Sequence, residues 1–227
     1  LRLTGTLRKD DAARLENQFS ALSQCAGPAC NSFMGPSAVV SLHSPGGSFL
    51  EGVRLAEFFR RSHIATVIQR GDTCLSACGI AFLGGSGFWP TGGVGTYIDR
   101  VVEPGARLGF HSPYFSTEVA KRAVRAGQLE ALLTETRIAV AEIVRTLSAY
   151  NVSQSVLDRI IRMGPDAFYD VGSPRDLFQI GASLPNFHPD ALGLPWDAQM
   201  RNACAFLAAE HYGQPPEPLE CPSLQRP

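Results

Sequence analysis

Apolar and polar side chains alternate along this chain in two rhythms, period two and period 3.6, which succeed one another several times. Leu1-Arg2-Leu3-Thr4-Gly5-Thr6-Leu7 alternates with period two and predicts a first strand. Asp10 or Asp11 then caps a helix to about Ser23, with Leu15, Phe19 and Leu22 on one face. Ala38-Val39-Val40-Ser41-Leu42 is a short apolar run, a buried strand that ends in His43-Ser44-Pro45-Gly46-Gly47-Ser48. From Ser48 to Ser62 the apolar positions Phe49, Val53, Leu55, Ala56 and Phe59 recur at helical spacing. Ile64 to Ile68 is the next buried strand, and Thr73-Cys74-Leu75-Ser76-Ala77-Cys78-Gly79 follows it and opens a small-residue, apolar helix. Gly84 to Gly95 is glycine-rich and predicts a loop or hairpin. Arg107-Leu108-Gly109-Phe110 is a further strand, with His111 just past its end. A long helical region runs from about Ser116 to Tyr150 with a weak point at Gly127, and Asn151-Val152-Ser153 starts another helix, to Met163. Ser173-Pro174 is an N-cap and N1 pair for a helix through Gln179.

Strand, helix, strand, helix is the order of right-handed βαβ units, so the expected class is α/β with a mostly parallel sheet. From Pro185 the chain turns proline-rich, with one more helical pattern at about Asp197 to Tyr212. The expected organisation is an α/β domain over 1–184 and a C-terminal appendage over 185–227, packed on the domain or tethered to it.

Composition narrows the partners. An apolar content of 44%, a charged content of 18% and a formal charge of −1 describe a globular protein, with no electrostatic reason to bind nucleic acid. No apolar run approaches the ~20 residues that span a bilayer, so membrane insertion is not expected. The first residues do not resemble a signal peptide, and a removed leader would leave no trace. The six cysteines fall in three local pairs: Cys25 and Cys30, Cys74 and Cys78, Cys204 and Cys221. That grouping suggests disulfides and a periplasmic or otherwise exported location. Six thiols still allow fifteen pairings, free buried thiols are an alternative, and the spacings fit zinc motifs poorly. No metal and no cofactor is expected.

Three features stand at the ends of successive strands, where open α/β sheets place their sites. Ser44-Pro45-Gly46-Gly47 lets a backbone approach a ligand closely and offers unhindered N–H groups. Ser76 lies on a strand-to-helix turn, where a hydroxyl can serve as a nucleophile or simply cap the helix. His111 lies in Gly109-Phe110-His111-Ser112-Pro113.

In that order the three motifs resemble the Clp protease proteolytic subunit, of the ClpP/crotonase fold, over about Ala38 to Ala182. That family has a strand ending in Ser-Pro-Gly-Gly, a nucleophile in an Ala-Ser-Met-Gly-like turn and a base in a strand-end His-Gln-Pro. Leu75-Ser76-Ala77 and His111-Ser112-Pro113 are similar to the last two. The family's third member is an aspartate two residues before a phenylalanine, which Asp166-Ala167-Phe168 resembles. The resemblance implies a serine peptidase in which Ser76 attacks, His111 moves the proton and Asp166 orients the imidazole. Backbone N–H groups of Gly46 or Gly47, and of Ala77, would then receive the oxyanion. Asp170 is the fallback carboxylate. The resemblance also implies a homo-oligomer with a handle-like helix, carrying Leu132, Leu133, Ile138, Ile143 and Leu147 here. The chain has no phosphate-binding Gly-x-x-x-x-Gly-Lys motif. If it is exported, no ATP-driven unfoldase feeds it, and its substrates are peptides or unfolded proteins.

The chain also departs from the family's pattern. His43 stands where the family has asparagine, Cys74 and Cys78 flank the serine, and the Gly84–Gly95 segment is inserted between Ser76 and His111. Three other readings compete. A serine–lysine dyad would use Lys121, one of two lysines in the chain. A crotonase-type pocket would bind an acyl-CoA thioester. A catalytically silent scaffold would keep the fold and lose the chemistry.

Overall fold

The computed structural model describes residues 1–22, 35–89, 95–114, 117–164 and 167–183. The predicted appendage over 185–227 and Cys25, Cys30, Cys204 and Cys221 lie outside the described residues.

The first layer is a four-stranded sheet ordered β1-β2-β3-β7, from Arg2–Thr4, Ala38–His43, Ile64–Ile68 and Arg100–Val102. All its pairings are parallel, as βαβ units require. Helices α1 (Asp11–Leu22) and α2 (Phe49–Arg61) are the crossovers on either side of β2. The second sheet joins β4 (Thr73–Leu75), β8 (Arg107–Phe110) and β9 (Tyr169–Asp170), with β4 parallel to β8 and β8 antiparallel to β9. A bridge between Ser44 and Cys74 joins the sheets at the end of β2. The Gly84–Gly95 segment opens a hairpin, β5 (Ser86–Trp89) with β6 (Gly95–Ile98).

The strand that carries Ser76 differs from the expected one. Ile64 to Ile68 stays in the first sheet, the chain turns at Gln69–Asp72, and a separate three-residue strand, β4, delivers Ser76 from the second sheet. Three residues are too few for any periodicity to register.

The core lies between the sheets and α2 and α3 (Ala77–Phe82). Leu42, Leu55, Phe59, Ile64, Phe82, Leu83 and Leu108 are fully buried there. Side chains of this size stabilise by about 1.5–3 kcal/mol each on burial. Helices α2 and α3 approach closely because Gly52 has no side chain: a Cβ there would stand 2.4 Å from the Ala77 carbonyl oxygen. The long helical region divides at Gly127, whose φ is +67°, into α4 (Thr117–Arg125) and α5 (Leu129–Ala149). Ser153 caps α6 (Gln154–Arg162), and Ser173 with Asp176 forms a capping box on α7 (Pro174–Gln179). Arg100 is 1% exposed, and its guanidinium donates to the carbonyls of Ile180 (2.6 Å) and Tyr150 (2.9 Å), tying β7 to the ends of α7 and α5. Among the described residues no helix is long and apolar enough to cross a membrane.

Candidate active site

Ser76 sits between β4 and α3 with φ +57° and ψ −124°. A non-glycine residue in such a region costs roughly 1–3 kcal/mol, and persists only where its surroundings enforce it. Here they do. The Ser76 N–H donates to the Gly109 carbonyl (2.9 Å), the Leu75 N–H donates to the Ser44 carbonyl (3.0 Å), and Ile80 N–H returns to the Ser76 carbonyl (3.2 Å). Ser76 occupies the N-cap position of α3, but its side chain accepts no capping hydrogen bond. The capping role that a serine fills at a helix start is therefore unused, and the hydroxyl is half-buried without that task.

The Ser44–Gly47 loop lies against this turn. A Cβ on Gly46 would stand 2.6 Å from Ser76 Cβ and 3.1 Å from Ser76 Oγ, and Gly46 itself has φ +101°. Only glycine meets both conditions. The Gly46 N–H donates to Ser44 Oγ (3.0 Å) and the Gly46 carbonyl accepts from Leu7 N–H (2.8 Å). A trans peptide points its N–H opposite to its C=O. The Gly47 N–H is therefore turned away from Leu7, and no described residue accepts it. Ala77 is the first residue of α3, where a backbone N–H has no intrahelical acceptor. Two N–H groups thus stay open, one in the Gly46-Gly47 loop and one at the start of α3.

His111 leaves β8 just after Phe110. Because Leu75 pairs with Gly109, the serine turn and the histidine leave adjacent parallel strands at the same end. The imidazole is half-buried, edge-on to Phe168 (ring centres 5.0 Å) and beside Tyr114 (5.2 Å). His111 Nδ1 lies 2.7 Å from the Ser112 carbonyl oxygen. A carbonyl only accepts, so Nδ1 carries a proton, and in the neutral ring the lone pair is then on Nε2. That is the tautomer a general base requires.

Asp166 lies outside the described residues. Asp170, the fallback, stands across from Gly109 in β9, but its carboxylate is taken by Arg107 through Nε (2.9 Å) and Nη2 (3.2 Å). The hydrogen bond and charge of Asp170 push the Arg107 guanidinium above its ordinary range. Lys121 is on α4, 59% exposed, with its ammonium 3.6 Å from Glu118. Cys74 and Cys78 form a disulfide across the serine turn. Among the described residues no three His, Cys, Asp or Glu side chains converge as metal ligands would.

His43 is a residue whose part the sequence pattern does not disclose. Its Nδ1 accepts from the Thr73 N–H (3.1 Å) and lies 3.2 Å from Asp72 Oδ1, which also receives Arg2 Nη2 (2.8 Å). It ties the end of β2 to the start of β4, and so fixes both segments that meet at Ser76. The local signal was only a histidine at a strand end, and its partners are ~30 residues away or more.

No family model matches the chain, and no curated protein matches it. Among solved structures the chain is similar to a ClpP1 mutant from Listeria monocytogenes, at 12% identity over 82% of this chain and 91% of that one, with a TM-score of 0.49.

Proposed function

We propose that the protein is a serine peptidase that cleaves peptides or unfolded proteins by acyl transfer, without ATP. The observation that supports this best is Ser76 itself. It is held at positive φ, its hydroxyl is not spent on capping, and the Gly46-Gly47 loop that packs against it and the start of α3 each keep an open N–H. A strand-to-helix serine in a strained turn is the arrangement that nucleophile elbows use to present Oγ.

In this mechanism Ser76 Oγ attacks the scissile carbonyl while His111 Nε2 takes its proton. The developing oxyanion is received by the N–H groups of Gly47 and Ala77, and each such donor contributes roughly 100-fold or more to turnover. The Gly46 N–H, directed at Ser44 Oγ, is not free for this role. His111 then returns the proton to the leaving amine, and water hydrolyses the acyl-enzyme by the same steps. The Ser112 carbonyl holds the Nδ1–H tautomer but carries no charge with which to stabilise an imidazolium. Asp166 supplies that charge in this proposal. The disulfide is compatible with export to a compartment without ATP, where the substrate must arrive already unfolded.

The test is cleavage of casein by purified protein with no nucleotide present. Ser76→Ala abolishes turnover, His111→Ala lowers kcat about 1,000-fold or more, and Asp166→Asn lowers it about 100-fold or more. Lys121→Ala leaves it unchanged, because the exposed ammonium is solvated and paired with Glu118. Turnover that survives Ser76→Ala, or that needs an ATPase partner, would overturn the proposal.

A further inference from the structure

We propose that the Cys74–Cys78 disulfide is the clamp that holds Ser76 in its reactive turn, so that Cys74 and Cys78 are positioning residues and the site depends on an oxidising environment. The inference rests on the reading of Ser76 as a nucleophile. Cys74 is the middle residue of β4, held from one side by its pairing with Leu108 of β8 and from the other by the bridge to Ser44. Cys78 is in the first turn of α3, beside Gly79, where a Cβ would stand 2.8 Å from the Phe110 ring. Both cysteines are fully buried. The bridge therefore joins two anchored elements and closes a ring with Ser76 at its centre.

Such a ring blocks the two routes by which the turn could relax. One is extension of β4 through Ser76, and the other is unwinding of the first turn of α3. Either would let φ of Ser76 turn negative and change where Oγ is presented. Without the bridge, the Ser76 backbone keeps its bonds to Gly109 and Ile80, and its side chain accepts no capping hydrogen bond. A residue in so rare a backbone conformation reverts unless its surroundings forbid it. The ring is short, so it adds less to global stability than a bridge closing a long loop would. Its effect is local.

The experiment compares oxidised protein, protein reduced with a phosphine, and a Cys74→Ala/Cys78→Ala double variant. In the reduction the phosphine gives two electrons to the disulfide and is oxidised to the phosphine oxide with oxygen from water, leaving two thiols. The double variant leaves Cys25, Cys30, Cys204 and Cys221 as they are, so it isolates this bridge. The reduced protein keeps the test alive if the variant does not fold. The readouts are amide hydrogen exchange over residues 73–83 and the rate of fluorophosphonate labelling. Exchange over 73–83 is expected to accelerate in both altered forms while α2 and β2 stay protected, and labelling is expected to slow at least about fivefold. Unchanged exchange over 73–83 overturns the clamp, whatever the labelling does. Faster exchange with unchanged labelling overturns the positioning role and leaves the nucleophile intact. Faster exchange with no labelling of any form upholds the clamp and overturns the serine-nucleophile reading.

Discussion

At the scale of single residues, Ser76 and Gly46 are each the wrong or the only choice for their backbone, and the contrast is testable. Ser76 at φ +57° carries a conformational cost that glycine would not. Ser76→Gly is expected to raise stability by about 1 kcal/mol while removing all labelling and turnover, the signature of a strained functional position. Thermal unfolding of the variant beside the parent checks it. A lower melting temperature would contradict the strain argument. Gly46→Ala works in the opposite sense. Its methyl would meet Ser76 Cβ at 2.6 Å and the Leu75 carbonyl oxygen at 2.7 Å. It is expected to lower stability by about 1–3 kcal/mol and to lower kcat as well, because the nucleophile itself must give way. Loss of stability with full kcat per folded molecule would show that Gly46 serves the fold alone.

At the scale of elements, α7 and β9 hold the strand that presents His111. Asp176 joins them. Burial pushes its carboxyl up, but hydrogen bonds from Ser173 Oγ (2.6 Å), Tyr169 OH (2.7 Å) and the backbone N–H groups of Gly172 and Ser173 outweigh burial and hold it below the ordinary value of 3.8. A depressed folded pKa stabilises the protein above the unfolded value, and that stability is lost as pH falls through the folded one. Asp176→Asn is therefore expected to lower the melting temperature by a constant amount between pH 7 and 5. The difference from the parent should shrink below about pH 4. A difference that persists undiminished to pH 2 would mean that charge plays no part.

The elements also show what could be read from the chain alone. The apolar runs that predict β2 and β3, and the helical spacing that predicts α2, work because each element is long enough to bury apolar side chains in the core. The Ser173-Pro174 start of α7 works because capping chemistry is local. Strand β4 escapes because its three residues owe their conformation to Ser44 and Leu108, 30 or more positions away. Strand β7 escapes because it begins with Arg100, a charge that burial ordinarily forbids and that two carbonyls from distant helix ends make tolerable. The site divides in the same way. Ser76, His111 and the two glycines are legible as motifs at strand ends. The turn of Ser76, the tautomer of His111 and the bridging place of His43 depend on contacts that no local pattern encodes.

At the scale of the whole molecule, α5 leaves most of its length unburied. Of its 21 residues, Ile143, Thr146 and Leu147 are buried, all near its C-terminal end. Leu129, Leu133 and Ile138 are each about half exposed. Exposed apolar side chains on a helix favour association. Sedimentation is expected to give a mass that is a multiple of the 24.4 kDa chain, and Leu133→Glu with Ile138→Glu is expected to reduce it to the monomer. A parent protein that sediments as a monomer at micromolar concentration would contradict this.

If one hydroxyl in this molecule is a nucleophile, a covalent adduct can be mapped to it. Folded, oxidised protein is treated with a fluorophosphonate and digested, and the modified residue is located by tandem mass spectrometry. A single adduct on Ser76 is expected, absent after denaturation and strongly slowed by His111→Ala. An unmodified Ser76, or a phosphonate carried by another residue, would contradict it.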